Sequence, residues 1–148
     1  MPADVQSARW FFDENAMGVA KALQHVRGDI TWPGGPGELV AKGAKDHEWL
    51  PLVGKAGLVV LSRDKRIQRN PVERQALLDN GVRAFFQTAG GELNLFGQLQ
   101  LWMRWWDEME ATLEDEPGPW IARVIKSGVR IFDRPKYDVS VSDSSPSG

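Results

Sequence analysis

The chain has 148 residues, 42% of them hydrophobic and 26% charged, with a formal net charge of -2, which suits one domain with a proper core and excludes two comfortable ones. The near-neutral charge excludes a broad nucleic-acid surface, leaving room for a local basic patch, and no apolar run is long enough to span a membrane. The lack of cysteine excludes disulfides and thiolate metal sites and fits a cytoplasmic protein.

Residues 1–8 read as a lead-in, with neither the basic head nor the apolar segment of a secretory signal. Trp10-Phe11-Phe12 then forms a short apolar run that stops at Asp13-Glu14-Asn15. A run bounded in this way predicts a strand buried on both faces of a parallel sheet. Asp13 then stands at the carboxyl edge, where open α/β sheets bind ligands. The competing reading is that Asp13 or Asn15 only caps the following helix. That helix is predicted from Ala16 to Val26, with Val19, Leu23 and Val26 as its apolar stripe and Gly28 beyond its end. His25 reads as structural.

Asp29 to Trp32 predicts a second strand, and Pro33 to Gly37 a loop whose glycines match no phosphate-binding motif. Glu38 to Lys42 predicts a short helix ending at Gly43. In the helix that follows, Asp46 shares a face with Trp49, Leu50 and Val53, so Asp46 is either its cap or a ligand aimed at the same cleft as Asp13. His47 and Glu48 project elsewhere, and Pro51 should kink the helix or mark a late first turn.

Leu58-Val59-Val60-Leu61 repeats the first pattern, exiting through Ser62-Arg63 to Asp64. Arg63, Lys65, Arg66 and Arg69 surround that acid, with Arg74 nearby. The next helix carries strong start signals: Asn70 as cap, Pro71 at its first position and Glu73 completing a capping box. Val72, Ala76 and Leu77 form its stripe, and Gly81 ends it. Val82 to Gln87 is a strand, and Thr88 to Leu93 a turn. Asn94 caps the longest helix, in which Leu95, Leu99, Trp102, Met103, Trp106, Met109 and Leu113 keep helical spacing over about five turns. Trp105 lies at the edge of that stripe, where it could serve a protein interface. Trp120–Ile125 with Val129–Phe132 predicts a final edge strand or hairpin, and the serine-rich stretch from 133 to 148 a disordered tail.

The βα alternation implies an α/β, three-layer domain with a central, mainly parallel sheet. Asp13 and Asp64 then share one rim, and Asp46 reaches it from the intervening helix. Two carboxylates about 5 Å apart repel by roughly 3 kcal/mol at an effective dielectric near 20, more than one hydrogen bond returns. A cation resolves that conflict, and all-oxygen donors point to Mg²⁺ or Mn²⁺ with phosphoryl chemistry.

At Phe11-Phe12-Asp13-Glu14-Asn15, Asp46-His47-Glu48-Trp49-Leu50 and Leu61-Ser62-Arg63-Asp64-Lys65-Arg66-Ile67 with Arg69-Asn70-Pro71, the sequence resembles the PIN-like ribonuclease family. Within it, the similarity is to the small toxins of VapBC-type toxin-antitoxin pairs. The resemblance implies a Rossmann-like domain over residues 9–132 in which Asp13, Asp46 and Asp64 hold Mg²⁺ or Mn²⁺ for endonucleolytic RNA cleavage. It further implies that Lys65, Arg66 and Arg69 hold the RNA, with Glu14, Asn15, Glu48 and Asn94 as auxiliary residues. A small antitoxin is the implied protein partner; a homodimer is open to the chain, and no membrane is involved. Many members carry another acid after the fourth strand, where this chain offers only Glu92 and Asn94. That departure leaves open a weaker second metal site or an inactive PIN-fold binding module. The rival from another class is a receiver-like phosphoacceptor domain with Asp64 as nucleophile, for which the lysines available, Lys126 and Lys136, are poorly placed.

Overall fold

The computed structural model describes residues 8–88 and 93–135, without the side chains of residues 67 and 68. Strands β1 (Trp10–Phe12), β2 (Ile30–Thr31), β3 (Val59–Ser62), β4 (Arg83–Gln87), β5 (Trp120–Ile125) and β6 (Gly128–Asp133) make one sheet. Their spatial order is β2-β1-β3-β4-β5-β6. All neighbours are parallel except β5 and β6, which form the expected hairpin. The helices among the described residues are α1 (Met17–Leu23), α2 (Asp46–Ala56), α3 (Lys65–Arg69), α4 (Pro71–Asp79), α5 (Leu95–Arg104) and α6 (Trp106–Asp115), with a 3₁₀ turn at Glu14–Ala16.

Side-chain alternation divides the core into two layers. Trp10 and Phe12 join Val59, Leu61, Phe85 and Trp120 beneath α1, α5 and α6. Phe11 joins Val60, Ala84, Phe86 and Ile121 beneath α2 and α4. Three residues make too few ladder bonds, at roughly 1 kcal/mol net each, to hold β1 in place. Burying three aromatic side chains, at roughly 2–3 kcal/mol each, decides its position. The ring of Trp10 meets Trp106 with centroids 4.5 Å apart, and Phe11 meets Trp49 at 5.0 Å.

From β1 the chain moves outward to β2 and then returns across β1 to β3. The connections leaving β1 and β3 therefore diverge and open a crevice at the carboxyl rim, as at the switch point of any doubly wound sheet.

Several local expectations give way to longer-range packing. The first helix stops at Leu23 rather than Val26, whose side chain is 79% exposed. Beyond that point Arg27 bonds Asp29 and lies over the Trp106 ring, which draws the backbone off the helical path. Residues 38–42 form no helix; Glu38 has a left-handed φ of 48° and Val40 packs inward. Pro51 lies inside α2 without ending it, and Gly57, at φ 71°, closes that helix. Asn70 caps α4 as expected, but its own N–H donates to the Arg66 carbonyl, so the other half of the capping box is not made. Val72 is 77% exposed and leaves the stripe to Leu77 and Leu78.

The predicted long helix is two helices, α5 and α6, meeting at Trp105, whose ψ of 10° breaks the helical path. The bend keeps Leu101, Trp102, Trp106, Met109 and Leu113 buried while Leu95 and Met103 turn outward. Trp105 itself packs against the core, not at a free edge. Asp133 belongs to β6 and pairs with Arg74 at 2.9 Å. The first seven residues of the lead-in, the tail from 136 to 148 with Lys136, and Glu92 lie outside the described residues.

Candidate active site at the carboxyl rim

Asp13 follows β1 directly, and its N–H donates to the Leu61 carbonyl at 2.9 Å, extending the ladder with β3 by one bond. This places its carboxylate beside the β3 exit. Only 6% of the residue is exposed. Oδ1 accepts the Glu14 N–H at 2.6 Å, and Oδ2 accepts the Ser62 hydroxyl at 3.1 Å. Asp13 is thus a cap and a buried acid at once, with one oxygen for each role. Burial pushes its pKa up from 3.8 to about 6, and Asp46 and Asp64 push in the same direction against the two hydrogen bonds. Among the described residues no cation pairs with it.

Ser62, fully buried, was not anticipated as part of the site. Its hydroxyl donates to Asp13, lies 3.3 Å from Asn15 Oδ1, and accepts the Asp64 N–H at 3.0 Å, so one side chain links both strand exits. A buried serine on the last residue of a strand, two places before an acid, was the available signal. Asn15 accepts the Arg63 N–H at 2.9 Å and holds the same turn.

Asp64 caps α3, accepting the Arg66 N–H at 2.8 Å. The Arg66 guanidinium also meets its carboxylate, Nη2 to Oδ2 at 3.3 Å. That pairing first, and then the fields of Glu73 and Asp46, raise the Arg66 pKa further above its ordinary value. Asp46 is the first residue of α2 and not its cap; the position before it is Lys45. Its Oδ1 accepts the Trp49 indole N–H at 3.1 Å.

The three acids therefore share a rim and act on one another electrostatically, but in this conformation two of them turn to donors on their own helices. Among the described residues, no three acidic, imidazole or thiol groups close upon a single point as a metal cage would. The physical reason is mutual repulsion, with a local donor available to Asp46 and to Asp64. Glu48 accepts the Lys45 N–H at 2.9 Å, and Asn94 the Gly97 N–H at 2.8 Å, so both are helix caps. Glu14, Lys65, Arg66 and Arg69 are exposed on the rim.

As a donor set the rim fits a hard divalent cation. It offers carboxylate, amide and hydroxyl oxygens, and at its centre a buried carboxylate without a counter-charge among the described residues. Mg²⁺ typically engages one or two carboxylates and keeps several waters, so a closed cage of three is not required.

The model of the PIN-like domain family matches residues 8–89, which contain β1 to β4 and all three acids. The chain belongs to the PIN-like domain family. It is also 39% identical over 49 residues to a Mycobacterium tuberculosis protein named "Putative ribonuclease VapC45", a stretch that is 33% of this chain and 36% of that protein. The chain thus spans about a third of the length of the curated relative it matches. No solved structure matches it. The mostly parallel α/β sheet expected of a PIN-like domain is the sheet observed. Among the described residues no helix is long and apolar enough to cross a membrane.

Proposed function

We propose that this PIN-like domain is a metal-dependent endoribonuclease, the toxin of a VapBC-type pair, with Asp13, Asp46 and Asp64 as its catalytic and metal-holding acids. The carrying observation is Asp13: a buried carboxylate with no cationic partner among the described residues, two more acids in its field, and a cationic helix beside it. Burying a charge costs several kcal/mol unless something compensates it. A site that retains one at the switch point of a parallel sheet is built for a ligand of opposite charge.

Mg²⁺ or Mn²⁺, held by Asp13 with Asp64 and Asp46 turning inward, would lower the pKa of a coordinated water and neutralise charge gathering on the phosphate. The chain's own groups do the rest. Ser62 and the Glu14 amide fix the Asp13 carboxylate, while Asn15 fixes the turn that carries Asp64. Lys65, Arg66 and Arg69 hold the RNA backbone, and Arg66 can exchange its Asp64 contact for a bidentate grip on a phosphate. The second-metal and inactive-module alternatives turn on the stretch around residue 92, which lies outside the described residues.

Purified protein incubated with structured RNA and Mn²⁺ tests the reading. The expected result is cleavage that falls roughly a hundredfold or more in Asp64→Asn, the scale of losing one positioned catalytic group. Absence of cleavage in both proteins sinks it, and acetyl phosphate labelling of Asp64 would favour the receiver. Co-purification of a small protein encoded by the adjacent reading frame tests the antitoxin half separately.

A further inference from the structure

Between the first halves of α2 and α4 lies a slot of about 270 Å³, lined by Asp46, Trp49, Leu50, Val72, Glu73 and Leu77 among others. Each of these helices descends from the carboxyl rim before feeding a parallel strand, so Asp46 and Glu73, both in first turns, mark the rim end. The Trp49 indole is held by Asp46, which joins the slot's wall to one of the three acids.

Two features here bear on a ligand. Val72 is apolar yet 77% exposed. Glu73 makes no return bond to its helix cap, and its Oε2 is enclosed without a hydrogen-bond partner among the described residues, an arrangement that folding alone disfavours. An apolar slot with an unused carboxylate at its end, opening beside a phosphodiester-cleaving rim, matches one piece of RNA: an unstacked base.

We propose that this slot binds one unpaired guanine next to the scissile phosphate, with Glu73 as the specificity-determining residue. The assignment rests on the nuclease reading for its biological substrate, but its binding can be measured without cleavage. Val72 and Ala76, with the little of Leu50 that reaches the surface, supply apolar contact for a flat ring. With Oε2 turned from its enclosed position toward the slot, the Glu73 carboxylate accepts from guanine N1–H and the exocyclic N2–H together. Guanine is the standard base with two adjacent donors on its Watson–Crick edge. Uracil presents a single N–H between two carbonyl oxygens, which a carboxylate repels.

The test is equilibrium binding of guanosine 5′-monophosphate and uridine 5′-monophosphate to the full chain, with cleavage of RNAs carrying a single guanine or a single uracil in parallel. Guanosine monophosphate should bind roughly tenfold or more tightly, the scale of one bidentate base contact. Glu73→Gln, isosteric and therefore expected to fold, should bring the two nucleotides within about twofold, since an amide offers one acceptor where two are needed. Val72→Asp, at an exposed position where a first-turn acid is tolerated, should weaken both nucleotides. Equal binding by the unaltered protein, or a preference that survives Glu73→Gln, overturns the assignment. RNA cleavage without guanine preference also overturns it while leaving the nuclease reading intact. Guanine preference without any cleavage supports the slot and removes the nuclease.

Discussion

At the scale of single residues, Asp13 shows that a helix cap can also be a buried acid. A carboxylate has two oxygens; the Glu14 amide takes one, and the Ser62 hydroxyl meets the other. The energetic consequence is testable without RNA. The folded-state pKa is raised from 3.8 to about 6, so the native protein binds more protons than the unfolded chain between those values. Stability from this group is therefore fully present below about pH 4, declines as pH rises through about 6, and stays low above. Two pH units correspond to roughly 3 kcal/mol as an upper bound. In metal-free buffer, Asp13→Asn should be more stable than the parent at pH 8 by roughly 1–3 kcal/mol and nearly equal to it at pH 4. Urea midpoints at the two pH values check this, and parallel pH profiles for the two proteins would refute it. Ser62→Ala acts oppositely: it leaves the buried Asp13 oxygen and the Asp64 N–H without their partner. A loss of about 1–3 kcal/mol is expected in the same measurement.

At the scale of elements, α2 illustrates a conflict decided by magnitude. Gly54 lies inside the helix, where alanine would ordinarily contribute about 1 kcal/mol. A Cβ there would collide with the Asn80 backbone carbonyl at the end of α4, a partner that cannot rotate away. Overpacking against backbone costs roughly 1–3 kcal/mol or more, so Gly54→Ala should destabilise by about 1–2 kcal/mol net. A raised Tm in that variant would show that α2 and α4 can separate freely. The α4 start was readable from Asn70-Pro71 because every group involved lies within a few residues. The break at Trp105 was not readable: the spacing of apolar residues continues unchanged, and only the positions of β1 and α1 dictate which of them turn inward. The exposure of Val72 escaped for the same reason.

At the scale of the whole molecule, a net charge of -2 conceals a separation of charge. Three acids stand at the switch point while Lys65, Arg66 and Arg69 lie exposed on the adjoining helix. RNA binding governed by that patch should weaken linearly in log affinity against log salt. Each removed contact should shift the slope by about 0.7. Lys65→Gln and Arg69→Gln together should therefore flatten the slope by about 1.4, measured by fluorescence anisotropy with single-stranded RNA; an unchanged slope would place the RNA elsewhere. By itself the sequence determined what depends on near neighbours and composition: a buried strand at Trp10–Phe12, an acid after each of two strands, the caps, and an α/β order that brings distant acids to one rim. Tertiary structure alone decided how those acids are held. Asp13 meets Ser62 across 49 positions of chain, and the turn of Asp46 and Asp64 toward their own helices depends on charges that linear order does not place. Local signals act over one helical turn or one strand step, whereas the field at a buried carboxylate sums over everything that folding brings near it.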